Sequence, residues 1–360
     1  MDGTLGKNYL KSYILQVRPM LKDFIESERT AAKNDSFGAI PDKLLEAYEE
    51  MVAEGKGIRG ALINLVYKAC GGIENEKILK ASTFIELFHS AILIHDDYMD
   101  RDPTRRGLIS VHKRFSKIGK DMHVCIPDDH YGNSLAVCIG DSGLFYSWKV
   151  LLASGFSPEY IIKAGEIFAY YIGRLGLGQA LDMTTTSAQD LDEQEALKVL
   201  LVKSAEYTSI LPMKIGAALA GEIDKAKLDA IENYARCFGW AFQIQDDILG
   251  LYAEEDELGK PLGSDLREGK NTLLMIDLRK NGTHEQLDFQ KNILGSAHIK
   301  ASDVTKMKDV LKECGSYDRV LKLGWNYVTE GSKYIPLITS DLATQQLLES
   351  LIFYMMERTK

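Results

Sequence analysis

The chain reads as an all-α protein, and three observations carry that reading. Apolar residues recur at helical spacing in one segment after another, as in Phe84, Leu87, Phe88, Ala91, Ile92 and Ile94. Runs that alternate apolar and polar residues are few, and only eight prolines interrupt 360 residues. Glycine pairs and prolines mark the ends of the periodic segments, as at Gly71 and Gly72.

In chain order, residues 8–32 form an amphipathic helix with Tyr9, Tyr13, Leu21 and Phe24 among its apolar positions. Residues 34–42 break it, and Pro41 is placed to open the next helix, over 43–54. The segment IRGALINLVYKACGG then runs to the double glycine. A helix containing Phe84 to Ile94 follows and ends in Asp96, Asp97 and Asp100, because Pro103 and Gly107 oppose its continuation. Residues 116–133 are polar and broken by Pro127 and two glycines, and read as a loop whose Asp128 and Asp129 are exposed turn residues. SLAVCIGDSGLFYSWKVLLASG is a buried apolar helix. Ser157 and Pro158 are an N-cap and a first helical residue for the one after it. DEQEALKVLLVKSAEYTSILPMKIGAALAG is one helix, or two meeting at Pro212. Residues 223–250 end in AFQIQDDILG, a glycine-rich basic stretch precedes a helix from Thr272, and the tail from Ser302 holds three or four more. With no linker or repeat, a single domain spanning residues 1–360, a bundle of roughly a dozen helices, is the simplest account.

Composition narrows the function. A net charge of −9 argues against a general nucleic-acid or anionic-membrane binder. No uninterrupted apolar run approaches the length of an integral membrane segment, and the first residues lack a signal-peptide pattern. Five cysteines without a CxxC pair read as reduced thiols of a cytoplasmic protein.

The chemistry starts at the first acidic cluster. Asp96 and Asp100 are four apart, so both carboxylates lie on one helix face and repel; a cation between them converts repulsion into binding. The negative end of the helix favours the same cation. Arg105 and Arg106 follow at once, so acids able to hold a metal adjoin arginines able to hold an anion: a Mg²⁺-bridged phosphate. Asp246 and Asp247 again end an apolar stretch, after Trp240, Phe242 and Ile244, and the two such helices could face each other across a cavity. Either pair alone is weak, since a lone pair of aspartates is usually a solvated helix end. Lys56 and Lys260 lie beside glycine, where backbone and ligand approach closely; Arg59, Lys203 and Lys270 complete the basic set.

GKGIR, ELFHSAILIHDDYMD, RRGLISVH, GDSGLFYS, GQALDM, KSAEYTSI, AFQIQDDILG and LGKPLGSDLREGKNTLL occur in that order between about Gly55 and Leu274. In wording and order the chain resembles the all-trans isoprenyl diphosphate synthases (the polyprenyl synthetase family), above all archaeal-type geranylgeranyl and geranylfarnesyl diphosphate synthases. The resemblance implies the isoprenoid synthase fold, helices around a central apolar cavity, and the habit of a homodimer. It implies that Asp96, Asp97 and Asp100, with Asp246 and Asp247, bind two or three Mg²⁺ ions on the diphosphate of an allylic substrate (dimethylallyl, geranyl or farnesyl diphosphate). Arg105, Lys203 and Lys260 would contact that diphosphate. Lys56, Arg59, His89 and Arg106 would hold isopentenyl diphosphate. Ser204, Gln179, Asp182, Gln243 and Lys270 would line or support the site. By its residues alone His89 reads equally as a core histidine. Gly60 stands where the family has proline, which alters the start of the helix. Gly250 replaces the third acid of the second motif, removing a possible metal ligand. Ser204 keeps the hydroxyl of a common threonine.

The implied reaction is ionisation of the allylic C–O bond, attack on the cation by the double bond of isopentenyl diphosphate, and proton loss, with the departed diphosphate as the base. A growing tail would run down the helix before Asp96, passing Ala91 roughly 7.5 Å and Phe88 roughly 12 Å away. Ala91 leaves its level open and Phe88 forms a floor, giving twenty or twenty-five carbons; alternatively Phe88 is core packing and another helix sets the floor. Three other readings stand beside this one: a terpene cyclase of the same fold, a non-catalytic subunit of a heteromeric synthase, and an acidic helical binding module.

Overall fold

The computed structural model describes residues 2–73, 75–187, 193–253, 263–296 and 298–359, with backbone alone at 185–187 and 193. The all-α expectation holds. Helices follow as α1 (Thr4–Asn34), α2 (Ala39–Ala53), α3 (Ile58–Ala69), α4 (Glu76–Met99), α5 (Val111–Asp121), α6 (Asp128–Leu152), α7 (Pro158–Ser187), α8 (Glu193–Leu200), a π-helical segment (Leu201–Ile210), α9 (Leu211–Leu219) and α10 (Lys225–Tyr252). Then come α11 (Ser264–Arg267), α12 (Leu273–Asn281), α13 (His284–Ile293), α14 (Ala301–Glu313), α15 (Ser316–Ser332), α16 (Ile335–Ile338) and α17 (Leu342–Glu357). Among the described residues the only sheet is a two-residue hairpin, β1 (Thr104–Arg105) with β2 (Leu108–Ile109). The chain divides into two compact units: Tyr9–Asn64 with Ile73–Ile161, and Met1–Asn8 with Leu65–Gly72 and Ile162–Lys360.

The first unit is built on α4. Asn75 caps it, accepting from the backbone N–H of Lys77 at 3.0 Å and of Ile78 at 3.3 Å. Ile78, Phe84, Ile85, Leu87, Phe88, Ala91 and Ile94 are all buried. Helix α6 packs along α4 through glycines: a Cβ on Gly143 would stand 2.7 Å from the Ala91 methyl, and one on Gly140 would overlap the His95 ring. Tyr48 of α2 donates to the Leu87 carbonyl at 2.8 Å. Helix α5 approaches α6 at Gly132, where a Cβ would overlap the His112 carbonyl.

The second unit is built on α10. Asp224 caps it, accepting from Ala226 N–H at 2.8 Å. It packs against α15, α16, α17 and the π-helical segment. Gly239 permits the last of these contacts, because a Cβ there would collide with the Ala205 backbone and stand 2.5 Å from Ser209 Oγ. Ser209 Oγ in turn donates to the carbonyls of Ala205 and Ala235, each at 2.7 Å. Tyr234 ties α10 to α17 through the Leu348 carbonyl at 2.7 Å.

Two expectations change, and of the alternatives at Pro212 the single helix holds. The stretch read as a loop over 116–133 is mostly helix: α5 runs to Asp121, with Val111, Phe115 and Gly119 buried, and α6 starts at Asp128. Sparse apolar residues among lysines hid that amphipathic face. Asp128 and Asp129 are first-turn helix residues, where negative charge meets the helix dipole, rather than turn residues. Around Pro212 the helix does not break; it widens to π geometry over Leu201–Ile210, next to a residue that has no N–H to donate back along the ladder. Finally, α4 and α6 are both long and apolar enough to cross a membrane by length and composition. For α4 that reflects a core helix buried along most of its length.

A Gly239→Ala substitution is expected to force α10 from the π-helical segment and destabilise the protein by about 1–3 kcal/mol, read as a lower urea midpoint.

Candidate active site

Neighbouring residues on an α-helix point about 100° apart, so two adjacent aspartates meet different surroundings. At the end of α4, Asp96 is partly exposed whereas the Asp97 side chain is 1% exposed. Asp100 caps the helix, its N–H bonded to the Asp96 carbonyl at 2.8 Å. Arg105, from β1, gathers the inward acids: Nε donates to Asp97 Oδ1, and Nη2 lies 2.8 Å from Asp102 Oδ2 and 3.6 Å from Asp96 Oδ2. Burial pushes the Asp97 carboxyl up to about 6, against the pull of Arg105. Its Oδ2 is buried with no hydrogen-bond partner. Arg105 therefore sits among acids. Asp102, buried and unassigned from the sequence, was signalled only by its position three residues before that arginine.

The hairpin turn is Arg106–Gly107, with φ of +54° and +76°. This is the primed turn that two-residue hairpins favour, and arginine is an unusual occupant of its first position. A residue held in that region is a pointer to function. Arg106 Nη1 donates to the Met51 carbonyl and lies 3.4 Å from Ser90 Oγ. His89, on the same face of α4 as Ser90 and Glu86, has its pKa pushed well below the usual imidazole value by burial and by Arg59, Arg106 and Arg105. It is neutral. The structure thus brings Arg59, His89, Arg105 and Arg106 into mutual electrostatic reach; Lys56 stands exposed just before α3.

In the second unit α10 repeats the division. Asp246 is 41% exposed and Asp247 is buried. Both Asp247 oxygens are engaged, one by Gln243 Nε2 at 2.6 Å and the other by the Leu273 N–H at 3.0 Å. Ser204 Oγ donates to Gln243 Oε1, linking the π-helical segment to α10. The expectation that Asp247 ligates metal meets a carboxylate already occupied inside the packing. Burial pushes its carboxyl up to about 7, with Asp265 and Asp246 adding to the effect and the two hydrogen bonds opposing it. Asp246 instead meets Arg358, whose Nη2 is 2.6 Å from Oδ1. Arg358 is buried near the C-terminus, donates to the Phe242 carbonyl at 2.7 Å and lies 4.1 Å over the Phe242 ring. Nothing local in the sequence linked it to Asp246.

Lys203, on the π-helical segment, is 2.6 Å from Asp182 Oδ2 of α7. The nearby Gln179 keeps its Nε2 buried without a hydrogen-bond partner. Lys270 pairs with Glu268 and lies 3.7 Å from Asp265 Oδ1. A Cβ at Gly250 would stand 2.6 Å from Asp265 Oδ2, the tip of a side chain that would have to turn aside. An acid from α11 thus occupies the space over Gly250. Lys260 lies outside the described residues. Ala91 is fully buried with Gly143 against its methyl, and Phe88, one turn deeper, is 2% exposed.

Among the described residues no three acids, histidines or cysteines gather into a metal cage. Mg²⁺ takes one or two carboxylates and completes its octahedron with water and phosphate oxygens. Asp96 and Asp246 each keep a partly exposed carboxylate, whereas Asp97 Oδ2 is buried without a hydrogen-bond partner.

Comparison with known proteins gives one answer. The family described as polyprenyl synthetase matches residues 41–313. The geranylgeranyl diphosphate synthase of Methanosarcina mazei is 32% identical over 322 residues, covering 88% of this chain and 90% of that one. The geranylfarnesyl diphosphate synthase of Aeropyrum pernix is 30% identical, with 91% and 98% covered. A geranylgeranyl pyrophosphate synthase from Corynebacterium glutamicum, solved with isoprenyl diphosphate and magnesium, superposes with a TM-score of 0.90 at 26% identity, covering 97% of this chain and 99% of that one.

The buried carboxyls make a pH prediction. Between the unfolded value of 3.8 and the folded value of about 7, native Asp247 binds the proton that the unfolded chain has lost, so stability falls as pH rises across that window. Measured in EDTA, the parent is expected to lose stability relative to Asp247→Asn between those limits and to run parallel above them. A constant difference between the two would place this carboxyl in water.

Proposed function

This chain belongs to the polyprenyl synthetase family and is a prenyl diphosphate synthase, and we propose that it condenses isopentenyl diphosphate with an allylic diphosphate, in a Mg²⁺-dependent reaction, to an all-trans product of twenty or twenty-five carbons. The observation that carries the reading is the repeated division of the acid pairs. Each leaves one aspartate presented beside an arginine, Asp96 with Arg105 and Asp246 with Arg358, and withdraws its neighbour. Relatives named geranylgeranyl and geranylfarnesyl diphosphate synthases support the chain length and do not favour a cyclase or a non-catalytic subunit.

In this reading Asp96, Asp100 and Asp246 are the residues that would hold Mg²⁺. Bound Mg²⁺ supplies Lewis-acid neutralisation of the leaving diphosphate. Arg105, Lys203 and Lys260 add fixed positive charge there, with Asp182 holding the Lys203 ammonium in place. Arg59, Arg106, Lys56 and neutral His89 bind the isopentenyl diphosphate. The allylic C–O bond breaks, the double bond of isopentenyl diphosphate attacks the allylic cation, and a proton passes to the departed diphosphate. Asp97 and Asp247 orient rather than ligate, through Arg105 and through Gln243 and the Leu273 N–H. We read the protein as a cytoplasmic homodimer; exposed Val137, Phe145 and Leu152 on α6 support a partner copy.

Incubation with labelled isopentenyl diphosphate and each allylic primer, followed by chromatography, tests the reading. Linear C20 or C25 prenyl diphosphate is expected with Mg²⁺ and none with EDTA, and Asp96→Asn or Asp246→Asn should lower turnover by about 10²-fold or more. A cyclised hydrocarbon, or no release of diphosphate, overturns it. Phe88→Ala should lengthen the product; the same product from the variant removes Phe88 as the floor.

A further inference from the structure

We propose that Glu86, which opens the motif ELFHSAILIHDDYMD but was given no role in it, is a positioning residue for isopentenyl diphosphate: it holds the first turn of α3 and balances Arg59 against Arg106, and Gly60 is glycine because this arrangement needs both its N–H and its lack of a side chain. The proposal rests on the reading that Arg59, Arg106 and His89 bind that substrate.

Glu86 sits on α4, 5% exposed, with His89 and Ser90 on the same face one turn on. Its Oε1 accepts the Gly60 N–H at 2.7 Å, and the Arg59 N–H also donates to its carboxylate. Both donors belong to the first turn of α3, whose leading N–H groups have no partner within the helix and carry its positive end. A carboxylate from another helix satisfies them. A proline at position 60 would remove one of these donors.

Space at this point is equally committed. A Cβ on Gly60 would overlap the Tyr13 hydroxyl and stand 2.9 Å from the Ser82 carbonyl. Tyr13 is 1% exposed and its hydroxyl lies 2.7 Å from Ser82 Oγ. The substitution of glycine for the family's proline therefore alters more than the start of the helix. It lets α3 close onto Tyr13 and gives Glu86 a second backbone donor.

The charges explain why an acid belongs there. Arg59 and Arg106 both act on Glu86, and the nearby Arg59 opposes the charging of Arg106. Burial lowers the Arg106 pKa, and Glu86 is the largest influence opposing that shift. Without a carboxylate between them, two guanidiniums would repel and their side chains would part before any diphosphate arrived. With it, the pair keeps one net positive charge in a fixed geometry, and a substrate diphosphate meets donors already in place.

Glu86→Gln keeps the shape and removes the charge. The test is equilibrium binding of radiolabelled isopentenyl diphosphate, with KM for each substrate and thermal melting alongside. The expected result is a Kd and KM for isopentenyl diphosphate raised at least about tenfold, an allylic KM within about twofold, and partial recovery in Glu86→Asp. Equal binding by parent and Glu86→Gln overturns the proposal. So does a variant that loses both substrates in step with its melting temperature, which marks Glu86 as a structural acid only. If Glu86→Gln does not fold, Glu86→Asp alone decides, since a withdrawn carboxylate should weaken isopentenyl diphosphate selectively. A parent that neither binds nor consumes isopentenyl diphosphate refutes the underlying assignment instead.

Discussion

Burying a carboxylate is costly unless hydrogen bonds or an opposite charge replace the lost water, and the site depends on how three acids meet that constraint. Asp97 leans on Arg105, Asp247 takes Gln243 and a backbone N–H, and Glu86 takes two N–H groups at the start of α3. Each of these acids immobilises something that the chemistry needs: an arginine, the end of α10, or the arginine pair proposed to hold the second substrate. The more exposed neighbours, Asp96 beside Arg105 and Asp246 beside Arg358, are the carboxylates proposed for the metal.

Close approach of backbones is the second theme. Gly143 and Gly140 bring α6 onto α4, Gly239 brings the π-helical segment onto α10, and Gly60 and Gly250 admit Tyr13 and Asp265. Each glycine stands where a methyl would meet an atom already present. Two of them, Gly60 and Gly250, depart from the motif pattern, and in both the missing side chain is matched by a specific neighbour. The π geometry serves the same end, since it spreads the segment carrying Lys203 and Ser204 while α10 fixes it from the other side.

Much of this was legible from the residues. Helical spacing located nearly every long helix, and the ordered motifs named the family, because both are written in local spacing. Helix α5 was missed for its lysine-rich face, and the hairpin was missed because two-residue strands leave no periodicity. Asp102, Glu86 and Arg358 went unassigned since each acts through a partner on another element, at separations of 3, 26 and 112 residues for Arg105, Gly60 and Asp246.

What the amino-acid order determined alone is therefore the class of fold, the family, and which side chains are chemically able to hold magnesium and diphosphate. Tertiary structure alone decided which acid of each pair faces outward, which is spent on internal support, and which neighbours meet the glycines at positions 60 and 250. The reason is physical: spacing sets the angle between neighbours on one helix, whereas burial, hydrogen-bond partners and free volume exist only once a second helix has arrived.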